Sequence, residues 1–467
     1  MALIEIGEKL NANSRIVGAT PADVLGYVVL RNYPWGVETI KFIDLFAGLG
    51  GLRLGLEKAA SQIGLKTECV FTSEIKKHAI ETYSVNFPGD EIHGDITQIQ
   101  ESEIPDFDVL LAGFPCQPFS SAGKGLGFTD TRGTLFFDIE RILKHKKPQA
   151  FILENVEGLV KHDRLDKSKL IGRTLEVIIE HLESLGYKVS WKVFDASEYG
   201  LAQKRKRIYI VGTRSELVSL DDFDKKFSTL NSVLVSNPDS NLFVDTPLTQ
   251  KLLTHYKMED LIGKQVRDKR GGPNNIHSWN VGLKGEVSDF QEEILEVLLR
   301  ARRRKGVAIS KGIPWSDGMP LTLEELIGLF VDKHSDASLP DRKKFKAALE
   351  GLVSMGYLGF EAPKKAPESP KGYNIVTGKL SFDISHILNP KSVTPTLVAT
   401  DVTRLAIPQG DSSFRRLSVR EGLRLFGFPD SYEIPQEISY SKAFDLLGNS
   451  VTLNVVEMVA KRVLATI

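Results

Sequence analysis

Cysteine is scarce: Cys69 and Cys116 are the only two in 467 residues. Two thiols in so long a chain exclude a disulfide framework and are too few for a zinc cluster, so no metal is expected. The same scarcity suits a reducing, cytoplasmic setting. No run of about twenty apolar residues occurs, and no membrane span is expected. Met1-Ala2-Leu3-Ile4-Glu5-Ile6-Gly7-Glu8 has no basic-then-apolar pattern, so it does not read as a secretion leader. Excess charge of one sign is missing too, since basic and acidic residues number 60 each. Any nucleic-acid surface would therefore be local, a basic cleft balanced by acidic outer faces. The length suggests about two or three domains.

What is present is an alternation of short apolar strands, turns and amphipathic helices. Phe42-Ile43-Asp44-Leu45 reads as a strand, Phe46-Ala47-Gly48-Leu49-Gly50-Gly51 as a glycine loop, and 52–60 as a helix. Strand, glycine loop and helix form the opening of a βαβ unit, where backbone and helix N-terminus can approach a nucleotide. Glu74 follows the next strand, Cys69-Val70-Phe71, at the spacing where an acid meets ribose hydroxyls. Asp95 closes a third strand-like segment, Glu91-Ile92-His93. Each acid has a plainer reading as a helix cap or solvated turn. Their recurrence at successive strand ends favours a nucleoside site. Cys69, inside its strand, reads as core.

The fourth strand, 108–112, runs into Gly113-Phe114-Pro115-Cys116-Gln117-Pro118-Phe119-Ser120. Gly113 tolerates the bend and the prolines stiffen it. The turn thus presents Cys116 at the lip of the sheet, either as a nucleophile or as a small hydrophobe capping a strand. The Gly- and Ser-rich stretch 121–128 reads as a lid or as an ordinary surface loop. A helix is expected at 133–143. The fifth strand, 150–153, ends in Glu154-Asn155-Val156, which places a carboxylate at the same strand-end edge as Cys116. After a helix at 174–185 and a strand at 187–193 comes Gln203-Lys204-Arg205-Lys206-Arg207, then a strand at 208–212. That basic run is a solvated face or a phosphate or base contact.

The order Phe46-Ala47-Gly48-Leu49-Gly50-Gly51, Pro115-Cys116-Gln117, Glu154-Asn155-Val156 and Gln203-Lys204-Arg205-Lys206-Arg207 resembles the DNA (cytosine-5) methyltransferase family, of the bacterial restriction–modification type. Arg416-Leu417-Ser418-Val419-Arg420-Glu421, Arg424-Leu425-Phe426-Gly427-Phe428-Pro429 and Gly448-Asn449-Ser450-Val451 complete the set. The resemblance covers about 40–214 and 394 to the end. It implies an α/β fold: a doubly wound, mostly parallel Rossmann-like methyltransferase sheet with a second, smaller DNA target-recognition domain. It also implies methyl transfer from S-adenosylmethionine to C5 of cytosine in double-stranded DNA, through base flipping and a covalent bond from cysteine to C6. Cys116 would be the nucleophile, Glu154 would hold the N3 and amine edge, and Arg205 and Arg207 would contact the base carbonyl and backbone. Phe46, Gly48, Leu49, Gly50, Glu74, Ile75, Asp95, Ile96, Pro115, Leu135, Asn449, Ser450 and Val451 would form the cofactor wall. Ile75 stands where many relatives carry an aromatic residue that stacks on adenine.

The resemblance leaves the middle of the chain unmatched. The expected layout is an N-terminal appendage at 1–38 and a catalytic domain at 39–214 that resumes at 394–467. A target-recognition region lies between, at 215–393. Within that region two short amphipathic helices and a strand, about 318–362, suggest a winged-helix-like insert, against a plain helical one. Gln117, Ser120, Gln203, Lys269, Arg270, Thr396 and Leu397 are the expected DNA contacts. A cognate restriction endonuclease is the expected genetic partner, and the chain is expected to be a monomer in the bacterial cytoplasm. The rival readings are an RNA cytosine-5 methyltransferase, a non-catalytic DNA-binding relative and a thiol hydrolase. The last lacks a histidine in any motif that would supply its base.

Overall fold

The computed structural model describes residues 39–115, 135–164, 166, 168–312, 318–333, 341–363, 366–376 and 382–467. The appendage expected at 1–38, the lid at 121–128, and Cys116, Gln117 and Ser120 lie outside the described residues. Two compact units emerge: one takes the chain to Phe227 and again from Leu423 to Ile467, the other is Ser228–Gly422. The chain thus rejoins the first unit later than the expected residue 394.

The first unit is built on a seven-stranded sheet. Its strands are β1 (Thr39–Leu45), β2 (Lys66–Ser73), β3 (Ile92–His93), β4 (Val109–Gly113), β5 (Ala150–Val156), β6 (Lys188–Asp195) and β7 (Lys206–Thr213). They lie in the order β3-β2-β1-β4-β5-β7-β6. Neighbours from β3 to β5 are parallel, while β7 is antiparallel to both β5 and β6.

Side chains alternate along each strand, so Phe42, Val109, Leu111 and Ile152 join one core and Ile43, Leu110, Phe151 and Leu153 the other. Helices Gly51–Gln62 and Leu453–Leu464 supply the first core, and Leu135–Lys146 and Arg173–Ser184 the second. Two covered faces explain why 109–112 and 150–153 are unbroken apolar runs. Each such Leu or Ile contributes about 1.5–3 kcal/mol relative to exposure. The final helix, Leu453–Leu464, packs on helix Gly51–Gln62. Gly55 makes that approach close, since a Cβ there would sit 2.4 Å from Val456 Cγ1.

The strand order reverses between β1 and β4. In a doubly wound sheet that reversal opens a crevice beyond the strand C-termini. Phe46-Ala47-Gly48 follows β1 there, and Phe114-Pro115 follows β4.

The second unit carries a six-stranded sheet, β10-β9-β13-β14-β15-β8, and a two-stranded one, β11-β12. The strands are β8 (Phe243–Val244), β9 (Gln265–Val266), β10 (Asn275–Ile276), β11 (Leu358–Glu361), β12 (Gly372–Ile375), β13 (His386–Ile387), β14 (Leu405–Gln409) and β15 (Ser413–Arg415). Helix Pro247–His255 starts with Pro at its first turn and a Thr246–Thr249 capping box. A separate apolar core gathers around helices Asp289–Ala301, Leu323–Lys333 and Arg342–Ser354. Glu421, singled out in the sequence as part of a motif, is buried at 0% exposure and holds Arg415 at 2.7 Å. It also accepts from the Ser418 and Val235 amides at 2.7 and 2.9 Å, so its role here is structural.

Candidate active site

The loop after β1 is shaped by positive φ angles at Phe46 (55°), Gly48 (56°) and Gly50 (68°). Phe46 bears a side chain in a left-handed conformation, a strain of about 1–3 kcal/mol that functional loops often carry. A Cβ at Gly50 would lie 2.6 Å from the Phe87 ring, so only glycine fits the start of the following helix. The loop is pinned from β2: Gly48 N donates to Glu74 Oε2 at 2.8 Å. Glu74 Oε1 accepts from the Ile75 and Lys76 amides, each at 2.8 Å. The buried carboxylate is therefore held on both oxygens. Asp95 caps a short turn, its Oδ1 accepting from Thr97 N at 3.0 Å and Thr97 Oγ1 at 2.8 Å. The plain capping role and the position at the site coexist, because Asp95 also lines the cavity.

That cavity, of about 440 Å³, lies within the first unit. Phe46, Gly48, Glu74, Ile75, Asp95, Ile96, Pro115, Leu135, Glu154, Arg205, Arg207 and Asn449 all line it. Ile75 presents an apolar side chain that is 69% exposed, ready to be covered by a flat ligand.

Glu154 lies near the C-terminal end of β5, with 8% exposure. Burial pushes its carboxyl above the ordinary range, while Arg207 and Arg205 pull the other way. Arg207 Nε lies 3.1 Å from Glu154 Oε1, without the alignment of a hydrogen bond. A buried carboxyl oxygen without a hydrogen-bond partner is available to an incoming donor. Arg205 is used differently. Its Nη2 donates to Gly448 O at 2.9 Å and Ser450 O at 2.6 Å, and its guanidinium sits 4.9 Å from the Phe426 ring centre. It ties down the loop that brings Asn449 to the cavity.

Several expectations are corrected by side-chain direction. Leu49, Gly50, Ser450 and Val451 do not line the cavity; all are buried behind it. Ser450 Oγ and Val451 Cγ2 instead pack against Gly51, 3.3 and 2.7 Å from where its Cβ would be. Gln203, expected at the DNA, has its side chain buried at 0% exposure and donates to Leu425 O at 3.2 Å. Leu397, at 1% exposure, is core as well. Lys269 and Arg270 are exposed after β9, and Thr396 is half-buried. Burial pushes the half-buried Cys69 thiol up to about 11, which removes it as a nucleophile at neutral pH.

Sequence reasoning missed Asn155. Its Nδ2 donates to Phe114 O at 3.2 Å and its Oδ1 accepts from Val156 N at 2.8 Å, joining the ends of β5 and β4. It was visible only as the middle letter of Glu154-Asn155-Val156. Lys76, Thr97 and Phe114 also line the cavity, without a motif to mark them.

Residues 40–465 match the family model for C-5 cytosine-specific DNA methylases. The chain is 48% identical over 441 residues to the type II methyltransferase M.NlaIV of Neisseria lactamica, covering 92% of this chain and 100% of that one. It is 40% identical over 443 residues to the type II methyltransferase M.BanI of Aneurinibacillus aneurinilyticus, with 90% and 94% covered. Among solved structures, the Entamoeba histolytica methyltransferase EhMeth aligns with a TM-score of 0.52 at 15% identity, over 91% of this chain and 98% of that one. That likeness concerns the fold. The doubly wound sheet, the crevice at its reversal point and the match along nearly the whole chain agree: this chain belongs to the C-5 cytosine-specific DNA methylase family.

Proposed function

We propose that the chain methylates C5 of cytosine in a specific duplex DNA sequence, with S-adenosylmethionine as donor, as the modification enzyme of a type II restriction–modification system. One observation carries the reading: a single cavity is lined both by Glu74 and Asp95 and by Glu154 and Arg207. Groups suited to a nucleoside and groups suited to a pyrimidine edge therefore share one space. Its volume falls in the range of small-molecule sites, about 300–1,000 Å³. Glu74 suits ribose hydroxyls, Asp95 an exocyclic amine, and Phe46 and Ile75 the faces of a purine. When bound, S-adenosylmethionine supplies an electrophilic methyl on its sulfonium.

C5 of cytosine is a weak nucleophile inside a stacked base, so the base must leave the duplex to react. Cys116, directly after the cavity-lining Pro115, adds as thiolate to C6 and makes C5 electron-rich. Burial favours the proton-bearing form of Glu154, which donates toward N3 as negative charge develops in the ring. Its other oxygen accepts from the exocyclic amine. Arg207 holds this carboxyl in place and Arg205 holds the Asn449 loop. With the methyl on C5 and S-adenosylhomocysteine as the leaving product, the C5 proton passes to water, the N3 proton returns to Glu154, and cleavage of the S–C6 bond restores the C5–C6 double bond and frees the thiolate.

The second unit, with Lys269, Arg270 and Thr396, is the proposed target-recognition region, and Gln117 and Ser120 would meet the DNA beside Cys116. The relatives' type II names support a cognate restriction endonuclease as genetic partner. Their bacterial hosts support a cytoplasmic setting beside the chromosome, where we propose it acts as a monomer. The test is transfer of labelled methyl to duplex DNA by wild type and Cys116→Ala. Label should enter duplex DNA, be lost in the variant, and a duplex with 5-fluorocytosine at the target should trap wild type covalently. Label entering tRNA instead, or unchanged transfer by Cys116→Ala, would overturn the reading.

A further inference from the structure

Residues 288–376 form a body of their own inside the second unit, and the proposed mechanism makes no use of it. Helix Asp289–Ala301 starts with a Ser288–Gln291 capping box. The chain then passes Leu321 and makes helices Leu323–Lys333 and Arg342–Ser354, followed by the β11–β12 hairpin. Leu321 pairs antiparallel with Tyr373, its amide and carbonyl exchanging bonds of 3.0 and 2.8 Å, and so bridges to the edge of the hairpin at one position. Leu298, Leu326, Phe330, Phe345, Leu349 and Ile375 join these pieces in one core. With one short helix, Lys305–Ser310, between the first helix and the Leu321 bridge, the order helix, bridge, helix, helix, strand, turn, strand follows that of a winged helix. It begins well before the 318–362 expected from sequence, because helix Asp289–Ala301 supplies one wall of the core.

The third helix divides cleanly. Phe345, Leu349 and Leu352 are buried. Arg342, Lys343, Lys346, Ala347, Glu350 and Ser354 are exposed along the opposite side. Its first turn contains no acidic residue, yet Arg342, Lys343 and Lys344 stand there. Cations at a helix N-terminus oppose the backbone dipole and weaken the helix by about 0.3–1 kcal/mol each. The N-cap Asp341, whose Oδ1 accepts from Lys343 N at 2.9 Å, offsets one of these charges, and helix-end electrostatics give no role to the others. Their visible partners are weak: Arg342 meets Glu324 with both side chains well exposed, and Lys346 meets Glu350 at 3.5 Å in the same condition. Lys344 is the exception, lying 5.3 Å from the centre of the Phe290 ring. The hairpin adds Phe360, 53% exposed with its ring tilted 56° against Tyr373, and an exposed Lys371 just before its second strand.

A helix about 10–12 Å across fits a DNA major groove about 12 Å wide. In a helix-turn-helix, the N-terminal residues of the second helix face the DNA. In this helix that half is the positive one, and only small Ala347 interrupts it. We propose that residues 288–376 are a second duplex-binding module, with helix Arg342–Ser354 set against DNA and Arg342, Lys343 and Lys346 on its phosphates. This rests on the reading of duplex DNA as substrate, and adds a surface that anchors the enzyme on DNA separately from the catalytic crevice.

The test uses the full chain with Arg342→Gln, Lys343→Gln and Lys346→Gln combined, on a duplex of about 40 base pairs carrying the target. Each lost phosphate contact lowers the slope of log K against log salt by about 0.9. The slope should fall by about 2 to 3, binding at low salt should weaken at least about tenfold, and KM for DNA should rise with kcat unchanged. Thermal stability should hold or rise, since cations opposing a dipole have been removed; a loss of stability would mark these residues as structural and overturn the proposal. An unchanged salt slope would also overturn it, as would a wild-type dimer dispersed by the substitutions, which would make this face a contact between copies. Methyl transfer by wild type is read in parallel. If it fails, the catalytic reading falls, while the difference in salt slope still reports on the module.

Discussion

At the residue scale, Glu154 is a buried carboxyl that faces the cavity. Burial raises its carboxyl, against the pull of Arg207 and Arg205, so the proton-bearing form persists at a higher pH than in a free glutamate. That form is the one the proposed step uses. Activity that depends on it is present below the raised value and is lost as pH climbs through it. Glu154→Gln can still donate an amide hydrogen to N3 and accept from the amine, but it has no proton to transfer. It should therefore lower kcat by at least about 100-fold, within the usual range for a general acid, with little change in KM. The high-pH fall in kcat should vanish in the same variant. A Gln variant with wild-type kcat would remove the proton-donor role.

At the element scale, the crevice depends on how closely two helices approach. Helix Leu453–Leu464 follows Asn449, and its depth against helix Gly51–Gln62 decides where that residue arrives. Gly55 sets the depth, because any Cβ there meets Val456 Cβ at 2.5 Å as well as its Cγ1. Gly55→Ala should destabilise by about 1–3 kcal/mol through overpacking, despite alanine's better helix propensity. Val456→Ala in the same chain should return part of that loss, although alone it is destabilising. Urea unfolding of the two single variants and the double variant measures the coupling. Strict additivity would mean that the contact does not limit the approach.

At the scale of the whole molecule, a ligand that binds only the folded first unit must stabilise it by mass action. S-adenosylmethionine at about 100 times its Kd should add about 2.7 kcal/mol to the unfolding free energy, seen as a rise in Tm. Glu74→Ala should abolish most of the shift, since Glu74 both faces the cavity and pins Gly48. No shift in the wild type would count against S-adenosylmethionine as cofactor.

Much of this was legible in the chain because local chemistry and fold agree at the strand ends. The unbroken apolar runs at 109–112 and 150–153 announce buried strands, and residues at or just beyond strand C-termini, Glu74, Pro115 and Glu154, stand at one edge by topology alone. Side-chain direction was not legible. Leu49 and Ser450 sit in motifs beside Gly48 and Asn449, yet face the core, because which way a loop residue points depends on what packs behind it. Gln203 lies in a basic run that reads as surface, but Leu425, more than two hundred residues later, supplies the carbonyl that lets its amide be buried. The insertion of β7 between β5 and β6 is likewise a matter of long-range pairing. Spacing and residue type alone determined the family, the sheet and the strand-end acids. Tertiary structure decided which neighbours in each motif touch the cavity, that Arg205 clamps a loop and that 288–376 is a body of its own. Those outcomes depend on partners distant in sequence, and a local pattern carries no record of them.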